Sequence, residues 1–164
     1  MPPVVQKHPD HPDVEPKPGD TIVWRWDGSK DPLPEVEHTG QCHCGAVRFR
    51  FPHPKLAQQE GWHFPVKNCD CSICQRNGYL TIFAERKDIE WLSGWDQLRD
   101  YKFATEKKVH KFCGTCGSSV CIDFLGEWKA AGDVIGINAR MLDNLDIEAL
   151  YLHKKDGKNF VPGS

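Results

Sequence analysis

From Thr39 onward the chain alternates hydrophobic and polar positions in short runs broken by turn residues. Residues 46–51, 79–84, 89–92, 108–112, 119–124 and 134–138 each show period-two alternation or a β-branched and aromatic run, which predicts strands. Helix is scarce. The candidates are a short turn over residues 72–77, stopped by Gly78, and a brief segment over 142–145. No repeat at a solenoid or propeller period is present, and a mainly β domain follows.

The start of the chain reads differently. Eight of the 12 prolines precede residue 35, mixed with charged residues and His. Residues 1–20 can therefore form neither helix nor ladder, and are expected to be a disordered, proline-rich tail. Thr21-Ile22-Val23-Trp24-Arg25-Trp26 alternates like a strand before Asp27-Gly28 turns it. Residues 21–38 are thus expected to be an extension on the outside of the domain, with two tryptophans that need a surface to cover.

The chain's 164 residues, 39% of them hydrophobic, suit one domain with a real core. Lys and Arg number 21 against 23 Asp and Glu, with no block of like charge, so nothing pushes the chain toward nucleic acid or membranes. No window approaches the roughly 18 apolar residues that span a bilayer. Met1-Pro2-Pro3-Val4-Val5-Gln6-Lys7 lacks the apolar segment of a secretory leader. The eight cysteines are therefore expected to be reduced, in the cytoplasm or nucleus, rather than paired in a secreted scaffold.

Seven of those cysteines change the picture, because they fall into three clusters: Cys42-x-Cys44, Cys69-x-Cys71-x-x-Cys74 and Cys113-x-x-Cys116. Cys113-Gly114-Thr115-Cys116-Gly117 has the form of a zinc knuckle, whose glycines permit a tight turn and free backbone N–H groups for the sulfurs. Its natural complement is Cys42-His43-Cys44-Gly45, giving a closed four-thiolate site that staples distant strands. The bland reading, four buried small hydrophobes, does not account for a C-x-C paired with a C-x-x-C-G.

Cys69, Cys71 and Cys74 have no equally clear fourth ligand. Three protein ligands plus an open position is the pattern of catalytic zinc. The alternatives are a second closed site completed by His43, His63 or His110, or a Cys71-x-x-Cys74 redox pair. Cys121 reads as a packed core thiol. His110 reads as a donor behind a metal ligand or as a half-exposed strand residue.

Taken in order, Gly40-x-Cys42-His43-Cys44-Gly45-Ala46-Val47-Arg48-Phe49, Asn68-Cys69-Asp70-Cys71-Ser72-Ile73-Cys74, Phe112-Cys113-Gly114-Thr115-Cys116-Gly117-Ser118 and Ile137-Asn138-Ala139-Arg140-x-Leu142-Asp143 resemble the glutathione-dependent formaldehyde-activating enzyme family. That family includes the centromere protein V-like proteins. The resemblance covers about residues 39–150. It implies a mainly β, Mss4-like (β-tent) fold of packed antiparallel sheets stabilised by two zinc ions. The domain would span residues 39–155, with a C-terminal tail over 156–164.

Carried over, Cys42, Cys44, Cys113 and Cys116 would hold a structural zinc, and Cys69, Cys71 and Cys74 the reactive one. The implied activity is condensation of glutathione with formaldehyde to S-(hydroxymethyl)glutathione, a carbon–sulfur lyase reaction. Three thiolates leave Zn²⁺ a weak Lewis acid for a carbonyl but a good platform for a sulfur nucleophile. Glutathione's two carboxylates call for cations, and Arg76 and Arg140 are the candidates. The competing reading is a non-catalytic zinc-stabilised binding module of the centromere protein V-like type. Near-neutral charge weakens a nucleic-acid version of it. A methionine sulfoxide reductase on a similar fold ranks last, since it needs a reactive Cys near the C-terminus and nothing after Cys121 is cysteine.

Overall fold

A computed structural model describes Trp24, Arg25 and residues 33–129 and 131–160. The expected tail of residues 1–20 lies outside them, as do residues 21–23 and 26 of the expected tryptophan strand. The described residues form β1 (Trp24–Arg25), β2 (Glu35–Gln41), β3 (Arg48–Pro54), β4 (Trp62–His63), β5 (Pro65–Cys69), α1 (Ser72–Asn77), β6 (Thr81–Glu85), β7 (Glu90–Ser93), β8 (Leu98–Tyr101), β9 (Val109–Cys113), β10 (Ser119–Asp123), β11 (Val134–Asn138) and β12 (Tyr151–Lys155). One sheet runs β12-β5-β6-β11-β10-β9-β8, a second β2-β3-β7, and β1 pairs with β4. The expected mainly β class of packed antiparallel sheets is what forms. One pairing departs from it, since β12 lies parallel to β5.

The core lies between the large and the three-stranded sheet. Phe49 and Phe51 of β3 belong to the same buried cluster as Val120 of β10 and Ile135 and Ile137 of β11. β11 is buried along its whole length, so its run Val134-Ile135-Gly136-Ile137 is continuously apolar rather than alternating. Cys121 packs in this core as a fully buried thiol.

Helix α1 forms over the residues that the sequence marks for it. Gly78 ends it with φ +62, and Tyr79 N–H closes the last turn on Cys74 O at 3.0 Å. The expected helical segment over 142–145 is not helical. Instead 3₁₀ turns flank it at Ala139–Met141 and Ile147–Ala149, capped by the side chains of Asn138 and Asp146. Between them Leu142 bridges to Gly40 and Asn144 takes φ +55, both incompatible with a helix.

β2 crosses the boundary placed between residues 38 and 39, pairing from Glu35↔Pro54 to Gln41↔Arg48. No helix among the described residues is long and apolar enough to cross a membrane.

Candidate metal centres

Two hairpin-like turns bring the first cluster together. Between β2 and β3, Cys42 N–H donates to Val47 O and Gly45 N–H to Cys42 O, each at 3.0 Å. Between β9 and β10, Cys113 N–H donates to Ser118 O and Gly117 N–H to Cys113 O, each at 2.9 Å. The Sγ atoms of Cys42, Cys44, Cys113 and Cys116 all lie within 4.8 Å of one another. Cys44 Sγ stands 3.6 Å from Cys42 Sγ and 3.7 Å from Cys113 Sγ. Sulfurs about 2.3 Å from a tetrahedral zinc stand about 3.8 Å apart, so this set fits that ion. Around them, Val47 N–H donates to Cys42 Sγ at 3.3 Å, and Ser118 Oγ lies 3.2 Å from Cys116 Sγ.

The charge balance within the cluster asks for a cation. The Ser118 hydroxyl and backbone N–H draw Cys116 down to about 5. At Cys44 the Ala46 N–H favours the thiolate, but desolvation and the neighbouring sulfurs push the group up to about 11. Crowded thiols cannot all ionise unaided, whereas metal binding removes their protons together.

The second cluster sits where β5 runs into α1. Cys69 ends β5, Cys71 caps the helix and Cys74 lies within it, buried. Their sulfurs lie within 4.8 Å of one another, and among the described residues no His, Asp or Glu joins them. Burial and the charges of Cys69 and Cys71 drive Cys74 up, and burial raises Cys69. Cys71 goes down: burial opposes this, but Cys74 N–H and the thiols of Cys69 and Cys74 favour its thiolate. This donor set has one stabilised anion and an open coordination position, and it too fits zinc.

The loop is clamped from the far end of the chain. β12 lies beside β5 in the register Lys155↔Cys69, and Asp70 N–H donates to Lys155 O at 3.0 Å. Asp70 Oδ1 in turn accepts from Gly157 N–H at 2.8 Å and Lys158 N–H at 3.0 Å. A Cβ on Gly157 would overlap Cys69 Sγ and lie 2.9 Å from Cys71 Cβ. The expected tail from residue 156 thus begins as a wall of the tri-cysteine site.

The other candidates scatter. Arg76 is exposed and bonds back to Ser72 O at 3.4 Å, while exposed Arg140 packs over the end of α1 with its Nε 3.5 Å from a Cβ built on Gly78. His43 is exposed and donates its backbone N–H to Ser118 Oγ, and His63 stacks on Tyr151 at 4.0 Å. His110 is not half-exposed: it is 4% accessible on β9 and borders a cavity between the two cysteine clusters.

Lys67, two residues before Cys69, had no sequence signal beyond its neighbour. Its ammonium stands 4.4 Å from the Phe83 centroid and 5.5 Å from that of Trp128. Burial, with Lys155 nearby, lowers it to about 8, opposed by charge on Cys69 and Cys74.

A mainly β domain carrying a four-thiol and a three-thiol cluster, each able to hold a metal ion, defines a class of protein, a small β-sheet protein with candidate metal sites. The sequence model described as glutathione-dependent formaldehyde-activating enzyme matches residues 37–154. A Halomonas elongata protein that bears the family's name is 31% identical over 93 residues, 51% of this chain and 54% of the relative. The chain thus spans about half the length of that relative. A crystal structure of a Rhodobacter sphaeroides protein, a structural-genomics target, shares the fold with a TM-score of 0.52 and 28% identity, over 66% of this chain and 91% of that one. This chain belongs to the glutathione-dependent formaldehyde-activating enzyme family.

Proposed function

We propose that this protein is a cytoplasmic carbon–sulfur lyase that joins glutathione to formaldehyde or a related small electrophile as an S-hydroxymethyl adduct. The reading rests on the three sulfurs of Cys69, Cys71 and Cys74, gathered within 4.8 Å with no fourth protein ligand among the described residues. A zinc ion held there would supply a position at which a further thiol is kept deprotonated. The addition needs no oxidant. The glutathione S–H proton leaves, its sulfur forms a C–S bond to the carbonyl carbon, the C=O π pair moves to oxygen, and oxygen takes up a proton.

The chain's residues divide the remaining work. Cys42, Cys44, Cys113 and Cys116 would hold a second, structural zinc and so tie the β2–β3 turn to the β9–β10 knuckle. Asp70 fixes the reactive loop on the β12 end through the Gly157 and Lys158 N–H groups. Arg76 and Arg140, exposed on and over α1, offer guanidinium forks to the glutathione carboxylates.

The test follows exchange between ¹³C-formaldehyde, glutathione and their adduct by NMR, since the adduct also forms unaided. Zinc-loaded protein should speed the exchange well above background and Cys71→Ser should return it to background. Equal exchange with and without the wild-type protein would refute the reading.

A further inference from the structure

The cavity between the two cysteine clusters has a volume of about 360 Å³. Formaldehyde has two heavy atoms and needs on the order of two water volumes of about 30 Å³ each. The cavity is several times larger. Its walls are Ile73, Tyr79, Tyr101 and Phe112, and among the described residues no charged side chain lines it. Ile73 and Tyr79 also pack in one cluster with Cys74, so the cavity shares a wall with the tri-cysteine loop. Tyr101 and Asn77, both exposed, stand at its open side.

Ser119 and Asn77 on the wall are matched, and His110 is not. Ser119 Oγ donates to Asn77 Oδ1 at 2.7 Å, and Asn77 Nδ2 donates to Ile73 O at 3.0 Å. His110 is 4% accessible, and neither ring nitrogen has a hydrogen-bond partner. An unmatched buried polar group costs about 1–3 kcal/mol, and a neutral imidazole offers one donor and one acceptor. Burial, then the charge of Lys108, lowers this imidazole to about 4, so it is neutral at physiological pH.

The described lining residues carry no charged side chain, so the cavity suits an uncharged carbon skeleton better than glutathione's carboxylates. We infer that the cavity takes the carbon skeleton of the electrophile, an uncharged aldehyde bearing an aromatic ring or branched chain, with its oxygen hydrogen-bonded to His110. This rests on the functional reading above and narrows it, making formaldehyde the smallest rather than the best-fitting partner.

The inference is tested first without turnover. Benzyl alcohol, which cannot add a thiol, is titrated into the zinc-loaded full chain and followed by NMR. It should bind saturably, with intermolecular NOEs to Tyr79 and Phe112. His110→Phe should weaken it about ten-fold with an unchanged or higher unfolding midpoint, since a ring needing no partner replaces one lacking partners. His110→Gln, which keeps a donor and an acceptor, should stay within about three-fold of wild type. In turnover, His110→Phe should raise KM for both benzaldehyde and formaldehyde with glutathione, since each places its oxygen on His110. No benzyl alcohol NOEs in the wild type, or equal affinity in wild type and His110→Phe, would overturn the inference. Binding of benzyl alcohol with no glutathione adduct from either aldehyde would support the cavity and refute the lyase. Formaldehyde turnover with no benzyl alcohol binding would do the reverse.

Discussion

Gly157 N–H donates to Asp70 Oδ1 at 2.8 Å, tying the end of β12 to the loop that carries Cys69 and Cys71. The contact brings the Gly157 backbone so close that any side chain there meets Cys69 Sγ. Its φ lies outside the left-handed region, so the constraint is space and not backbone conformation. Gly157→Val should therefore displace the loop. Zinc content should fall by one equivalent per chain, while far-UV circular dichroism and the closed site stay intact. Retention of both ions would show that the loop tolerates the displacement.

A second prediction concerns the buried ion pair of the large sheet. Arg86 grips Asp123 with both terminal nitrogens, at 2.6 and 3.2 Å, and donates through Nε to Asp133 at 2.9 Å. Asp123 is 3% accessible and also accepts Leu125 N–H at 2.8 Å. Arg86→Met strands a buried carboxylate, and urea unfolding should show a loss of about 2–4 kcal/mol, below the full cost of breaking a wholly buried pair because Arg86 is partly exposed. Zinc content should not change. A loss under about 0.5 kcal/mol would mean that water replaces the guanidinium.

Neither of these features is visible in the sequence, while the framework around them is. The apolar runs at 46–51, 79–84, 119–124 and 134–138 locate β3, β6, β10 and β11, because β6, β10 and β11 bury most of their length and β3 buries every second residue from Phe49 to His53. β2, β5, β8 and β12 leave a weaker trace. β8 buries only Leu98, and β12 carries Lys154 and Lys155 on the sheet's edge. The cysteine spacing identifies both sulfur clusters because each half-site is local. Asp70 and Gly157 meet across 87 residues and His110 meets Tyr79 across a sheet, so no local pattern reports them. The caps Asn138 and Asp146 were readable, and would have placed helical turns on either side of 142–145 rather than within it.

Acid should destabilise the fold through its buried imidazoles. Burial lowers His53 and His110 to about 4, from an ordinary value of 6.5. Between those values the unfolded chain binds protons that the folded chain does not. Their stabilisation is complete above about pH 6.5, and falls progressively as the pH drops toward 4. The two together are worth on the order of a few kcal/mol across that window. Stability measured against pH should have a shallower slope from 6.5 to 4 in His53→Phe/His110→Phe than in wild type. Zinc release and His63, which burial also lowers to about 4, add an acid loss to both proteins alike, and equal slopes would assign the whole dependence to them.

The two cysteine clusters should fail differently. Cys113→Ser removes a fully buried thiol from the four-cysteine cluster between β2–β3 and β9–β10. It should cost several kcal/mol or prevent folding, since structural zinc binding and folding are one free energy. Cys71→Ser alters a half-exposed loop, and should leave the melting temperature within a few degrees of wild type while abolishing thiol-adduct chemistry. Equal destabilisation by both would make the second site structural as well.

The most direct test is zinc per chain by elemental analysis, on freshly purified wild type and Cys71→Ser in a reducing, non-chelating buffer. An open tri-cysteine centre beside a closed one predicts two equivalents in the wild type and one in Cys71→Ser. One equivalent in both proteins, lost only when Cys42, Cys44, Cys113 or Cys116 is replaced, would contradict it and leave a zinc-stabilised binding module.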